Sequence, residues 1–174
     1  MTTFIALLRA VNVGGTGKLA MSDLKAICEA AGCHSVRTYI ASGNVVFDSA
    51  RSEKAVQSIL QKDLHAHAGK PVDVIVRSAA EMSEVLARNP FAERPPRETV
   101  AIFLDAPPSP NALDDVAGKV NEEIRLGARE LYVHYGPTMG TSKLRIPAAK
   151  RGTARNMNTV AKLAAMANEA RPKR

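Results

Sequence analysis

Residues 35–49, SVRTYIASGNVVFDS, hold two β-favouring runs, SVRTYIA and NVVFDS, around the turn sequence SGN. A connection this short makes the two runs antiparallel neighbours, because a parallel return needs a crossover of about a dozen residues or more. What surrounds the hairpin then narrows the fold. Upstream, TTFIALLRA reads as a buried strand, followed by the glycine-rich loop NVGGTGKLAM. Ser22 is placed to cap a helix that keeps Leu24, Ile27, Cys28 and Ala31 on one face and stops at Gly32. Downstream, residues 52–68 set Val56, Ile59, Leu60 and Leu64 on one helical stripe, and PVDVIVRS supplies another strand. The order through Ser78 is β-α-β-β-α-β, the ferredoxin-like (alpha-beta plait) arrangement.

The rest of the chain is expected to follow a related order. AAEMSEVLARN reads as a connecting helix that stops because Pro90 drives Asn89 out of helical geometry, and AERPPRE reads as a linker. TVAIFLDA is a strand, residues 112–119 a short helix, NEEIRLGA and RELYVHYG paired strands, and residues 154–168 the last helix. This second half reads βαββα, a plait whose last strand is missing or displaced. The expected organisation is an N-terminal ferredoxin-like half (1–78), a connecting helix and linker (79–97) and a C-terminal ferredoxin-like half (98–174). No internal sequence repeat supports the duplication, so it rests on element order.

At 174 residues a globular chain buries roughly two-thirds of its unfolded surface, enough for a core without disulfides or metals. Hydrophobic residues make up 45% and charged residues 24%, which argues against a disordered chain. Apolar runs stop well short of the roughly 20 residues that span a bilayer. The start, MTTFIALLRAVNVGG, lacks a basic leader and carries Arg9 inside its apolar run, so no signal peptide is expected and the expected compartment is the cytoplasm. Cys28 and Cys33 are expected to be free thiols. His65 and His67 fall on different helix faces and His34 and His134 stand apart, so no metal and no cofactor is expected.

The net charge of +7 is unevenly placed. From Lys143 to the end there are nine Lys or Arg and one acid, Glu169; the preceding residues hold 15 basic and 16 acidic side chains. The whole basic excess lies in the C-terminal segment. Such asymmetry points to an anionic partner, or else to a solvated face with a basic tail, RPKR.

Familiar catalytic and nucleotide motifs fail in detail. A Walker A loop at NVGGTGKL would need Gly at 12 and a hydroxyl at 19, where Asn12 and Leu19 stand. SGNVVF lacks the aromatics of an RNA-recognition strand, and aromatics form only 4% of the chain. A nucleophile elbow at Ser42 would need glycines at 40 and 44, which are Ile40 and Asn44. One segment does concentrate polar chemistry: RGTARNMNTVAKL, residues 151–163. With Thr153 as N-cap, Arg155 and Asn156 fall in the first turn of the last helix, where free N–H groups and the helix dipole favour an anion. Arg155 adds a planar fork suited to phosphate or carboxylate. Thr159 shares its face, Asn158 can donate and accept, and Arg151 lies beside them. The alternative is that these side chains cap the helix and tie it to the loops NVGGTG and SGN.

LLRAVNVGG, TYIASGNVVF, NPF, SKL and TARNMNTVAKL, in this order, resemble the hallmarks of a family catalogued as domain of unknown function 1697 (DUF1697). The resemblance runs along nearly the whole chain. It implies a bacterial protein of two plait-like halves with no established activity. Its polar hallmarks fall on Arg9, Asn12, Gly14, Gly15, Ser42, Gly43, Asn44, Lys143, Thr153, Arg155, Asn156 and Thr159. Met157 departs from it, since the family usually has Trp there; that position is either a stacking platform or a core filler. The expected site is an anion-binding cleft between the halves, at the entrance of the last helix, for a phosphate-containing ligand or a nucleic acid. Two other readings stand beside it: an enzyme acting on a phosphorylated small molecule, and a structural or interaction module without a ligand. The sequence leaves the oligomeric state open.

Overall fold

The computed structural model describes residues 1–12 and 18–169 and shows a mixed α+β chain with two four-stranded antiparallel sheets. The first sheet contains β1 (Thr2–Leu8), β2 (His34–Tyr39), β3 (Asn44–Ser49) and β4 (Val74–Ser78), in the order β2-β3-β1-β4. Helix α1 (Met21–Ala30) lies between β1 and β2 in sequence, and α2 (Glu53–Ala68) between β3 and β4. β1 pairs with both β3 and β4, and Ile5 through Leu8 are completely buried, which explains its unbroken apolar run. Phe4, Ala6 and Leu8 share a core with Val45, Phe47, Val74 and Val76 of the neighbouring strands and with Leu24, Cys28, Val56, Leu60 and Leu64 of the two helices.

Capping explains the helix limits. Ser52 caps α2, its hydroxyl accepting from the Ala55 N–H at 3.2 Å, and Gly69 at φ +72° ends it. Gly32 at φ +86° ends α1 as expected. Its start differs from expectation: the N-cap is Ala20, without a side-chain cap, and Ser22 lies inside the first turn. Helix α3 (Ala79–Ala87) opens on a reciprocal capping box, in which the Ser78 hydroxyl accepts from the Glu81 N–H and the Glu81 carboxylate from the Ser78 N–H. It ends before Asn89, whose side chain accepts from the Phe91 N–H at 2.9 Å across Pro90.

The second sheet contains β5 (Thr99–Phe103), β6 (Glu123–Leu126), β7 (Glu130–His134) and β8 (Thr153–Asn156), in the order β6-β7-β5-β8, the same relative order as in the first. Two expectations need correction. The helix expected at 112–119 is not formed; residues 110–115 are turns. Pro107, Pro108 and Pro110 precede it, and Gly118 at φ +71° cuts it off. The last strand, expected to be missing or displaced, is present as β8, built from the residues read as the entrance of the last helix. Thr153, Ala154, Arg155 and Asn156 pair with Phe103, Ile102, Ala101 and Val100. The last helix, α4 (Met157–Asn168), therefore starts three residues later than expected.

Irregular chain covers one face of this sheet. Val100, Ile102, Ile124, Leu131 and Val133 pack with Leu113 and Val116 from one connection and with Met139, Leu144 and Ile146 from the other. The connections are stitched together where Ala117 and Arg145 exchange N–H···O bonds of 3.0 and 2.8 Å. A Cβ on Gly118 would lie 2.1 Å from the Lys143 carbonyl oxygen, so only glycine fits. The chain forms two compact units, residues 1–83 together with the chain from 162 onward, and residues 84–161; the boundaries fall within α3 and α4.

Candidate functional site

In the first unit, four of the expected site residues gather where β1 leaves the sheet beside the β2–β3 turn. The Asn12 amide nitrogen donates to the carbonyls of Leu19 and Ala41, each at 2.8 Å, and its oxygen accepts from the Leu19 N–H at 2.7 Å. Asn44 is fully buried; its amide donates to the Tyr39 carbonyl at 2.9 Å and to the Ser42 hydroxyl at 3.1 Å. Gly43 adopts φ +89°, and its carbonyl accepts from the Leu8 N–H. Its missing side chain matters, since a Cβ would stand 2.6 Å from Val11 Cγ2. Asn12, Gly43 and Asn44 thus hold the turn against the end of β1. Ala10, Asn12 and Ile40 also have positive φ there, an unusual concentration for residues other than glycine. Gly14 and Gly15 lie outside the described residues.

Next to this knot opens a cavity of about 290 Å³. Its floor is apolar, from Leu19, Leu64 and Val72, and its charged lining is basic: Arg9, Lys18 and Lys70, with the His67 imidazole beside them. The fold brings these together from the end of β1, the approach to α1, the last turn of α2 and the residues leading into β4. Arg9 is held in place, its backbone N–H donating to the Asp73 carbonyl at 3.0 Å and its guanidinium 3.7 Å from the Asp73 carboxylate. His67 Nε2 stands 3.9 Å from the Asp23 carboxylate. Of these four residues only Arg9 was expected. Lys18 was visible as the Gly-Lys pair of a failed Walker loop, while Lys70 and His67 carry no sequence signal beyond their place at the end of α2.

The second unit holds the remaining expected residues. Thr153 lies in β8 and is not an N-cap; it is 2% exposed, and its hydroxyl has no hydrogen-bond partner among the described residues. Asn156 is the cap instead, its side-chain oxygen accepting from the Thr159 N–H at 2.9 Å. Arg155 is half-buried, donates to the Ala154 carbonyl at 2.9 Å, and has its pKa pulled down to about 10 by burial, so it stays charged at neutral pH. Met157 is 1% exposed, so of the two roles expected for it the core filler is the one found. The SKL segment has a structural task. The Ser142 hydroxyl donates to the Glu122 carboxylate at 2.6 Å and, with the Val120 N–H, holds that carboxyl below its ordinary range. Lys143 is exposed, its backbone packed against Gly118.

Cys28 and Cys33 are free and buried. Burial pushes the Cys28 thiol up to about 12 and also raises Cys33, so neither is a ready nucleophile at neutral pH. Among the described residues no three His, Cys, Asp or Glu cluster as metal ligands, and no helix is long and apolar enough to cross a membrane.

The fold and this cavity define a mixed α+β protein with two antiparallel four-stranded sheets and a small basic pocket in the first. A family model described as "Protein of unknown function (DUF1697)" matches residues 1–132, and the chain belongs to that family. The match ends at Tyr132, before β8 and α4. Among solved structures, the conserved bacterial protein SP0830 from Streptococcus pneumoniae is similar in fold, with a TM-score of 0.79 over 96% of this chain and 99% of that one, at 21% identity. A search of the curated proteins found no match.

Proposed function

We propose that this protein binds a small anionic molecule, a phosphate or carboxylate attached to a compact apolar group, in the cavity of its first unit. The observation that carries the reading is the convergence of Arg9, Lys18, Lys70 and His67 on a space floored by Leu19, Leu64 and Val72. Cations around a low-dielectric wall focus positive potential into the pocket. The Arg9 fork suits two oxygens of one anion, and the apolar floor takes the remainder of the ligand. Calorimetric titration with inorganic phosphate and with phenyl phosphate tests it. Phenyl phosphate should bind more tightly, and Arg9→Gln or Lys70→Gln should each weaken it by about tenfold, the equivalent of one charge-assisted hydrogen bond. Binding that ignores both substitutions, or none at millimolar ligand, defeats the reading and leaves a structural module. Release of inorganic phosphate from phenyl phosphate would turn it into the enzyme reading, with His67 beside Asp23 as the proton-handling group.

The basic excess from Lys143 onward favours a second reading, nucleic-acid binding by the C-terminal segment that carries Arg155. Anisotropy of a labelled mixed-sequence RNA strand should then rise with protein and fall with salt, less so in Arg155→Ala. The shared strand order supports reading both sheets as ferredoxin-like, the second with its helices replaced by irregular chain. We place the protein in the bacterial cytoplasm.

A further inference from the structure

β6 is the terminal strand of the second sheet and pairs with β7 on one side. At the hairpin the Gly127 N–H donates to the Glu130 carbonyl at 2.7 Å. Counting back in twos along an antiparallel ladder, Arg125 and Glu123 turn their backbones toward β7, and Ile124 and Leu126 turn theirs outward. The Ile124 carbonyl accordingly accepts from the guanidinium of Arg125 at 2.9 Å. Such outward donors and acceptors are a template for a further strand.

A cavity lies on each face of this edge. The one beside the core is about 310 Å³, with Leu113, Val116 and Ile124 in its wall and Lys119 alongside. The other is about 390 Å³ and is bordered by Arg88 and Tyr132. Arg125 borders both. Neither Lys119 nor Arg125 has a carboxylate within ion-pair distance among the described residues, whereas Glu123 is engaged by Arg94 at 2.9 Å. A strand added to β6 would send successive side chains alternately to the two faces. One set would enter the cavity walled by Leu113, Val116 and Ile124, and the other would meet Arg125, with Arg88, already 3.6 Å from the Glu84 carboxylate, behind it.

We propose that β6 is a docking edge for an extended segment of a partner protein in which apolar side chains alternate with acidic ones. Main-chain bonds to Ile124 and Leu126 supply the pairing, the two cavities supply the selection, and the carboxylates draw Arg125 off its own carbonyl. This rests on β6 alone and does not involve the anion cavity of the first unit.

The test is fluorescence anisotropy of a labelled twelve-residue peptide of alternating Val and Asp against the full-length protein. Its controls are a peptide of the same composition in two blocks and an alternating Val/Lys peptide. The alternating Val/Asp peptide should bind saturably and about tenfold more tightly than either control. Leu126→Pro, which deletes an outward N–H without touching the β7 ladder, should abolish the difference, and Arg125→Glu should reduce it. Circular dichroism and melting confirm that the variants fold; if Leu126→Pro does not, Arg125→Glu decides. Equal binding of the blocked peptide, or binding untouched by the substitutions, overturns the proposal. So does a wild-type dimer in analytical ultracentrifugation that Leu126→Pro dissociates, because the edge then belongs to a second copy.

Discussion

Gly43 and Gly69 both sit at positive φ, yet they should respond very differently to alanine. At Gly69 no described residue lies within 4 Å of the added Cβ, so the left-handed backbone is what resists, a cost of about 1 kcal/mol. At Gly43 the methyl also strikes Val11 and Leu8, and urea unfolding should show a loss of about 2–4 kcal/mol. Thr153→Val should go the other way, gaining about 1 kcal/mol, because it replaces a buried hydroxyl without a partner among the described residues by a methyl of the same shape. The Cys28 thiol makes stability depend on pH. Its folded pKa, about 12, lies above that of the unfolded thiol, so the unfolded state releases the proton first. Stability is therefore unaffected by this group below about pH 9 and falls between about 9 and 12. In Cys28→Ala, urea midpoints should decline less over that window than in the wild type, whatever their starting value. These residues also show how far the site could be seen in the sequence. Asn12, Gly43 and Asn44 stand out as polar turn residues, but their work in holding the turn depends on partners that only the folded register supplies, such as Ala41 against Asn12. Lys70 and His67 look like ordinary helix-end charges until the fold sets them opposite Arg9.

Elements were easiest to read where local chemistry and burial agree. The Ser52 cap, the stripe of α2 and the Gly69 stop coincide, and that helix lies where its sequence puts it. The first six elements, apart from the start of α1, follow for the same reason. At α1 the signal misleads, because Ser22 is a good cap residue two positions too late and the helix opens at Ala20 uncapped. Ala20 is exposed and already has the extended backbone of an N-cap, φ −68° and ψ 139°. Ala20→Asp should therefore stabilise the protein by about 1 kcal/mol, read as a higher urea midpoint, while Ser22→Ala should change it little. A reversed result would return the cap to Ser22. The TARN segment fails for another reason. Thr153 and Asn156 are both N-cap residues, and only the pairing of β8 with β5 decides between them. A four-residue edge strand with one polar end has no period long enough to announce itself. Residues 104–122 offered two apolar residues at helical spacing, Leu113 and Val116, and these do pack on the core, but from turns.

Over the whole molecule, the chain closes its first unit with its own last residues. Arg37 on β2 donates to the Met166 carbonyl at 2.7 Å and pairs with Glu169 at 2.5 Å, more than 120 residues away in sequence. Asn168 donates to the Ser83 hydroxyl at 2.9 Å. Met166 lies in the last turn of α4, where carbonyls have no partner within the helix and the dipole favours a cation. Arg37 therefore acts as a C-terminal cap supplied from the other end of the sequence. Its two contacts differ in strength. The pair with Glu169 is largely exposed and should contribute less than about 1 kcal/mol, diminishing with salt. The bond to Met166 is partly buried and should add about 1 kcal/mol that salt does not remove. Arg37→Ala should thus lose about 1–2 kcal/mol in low salt and retain roughly half of that deficit in 1 M NaCl. Glu169→Gln should lose only the salt-sensitive part. Hydrogen exchange should locate the effect, with the amides at the end of α4 exchanging faster in Arg37→Ala while those of α2 stay protected. If both substitutions were equally costly and equally screened, the carbonyl cap would contribute nothing, and the ion pair alone would account for the loss.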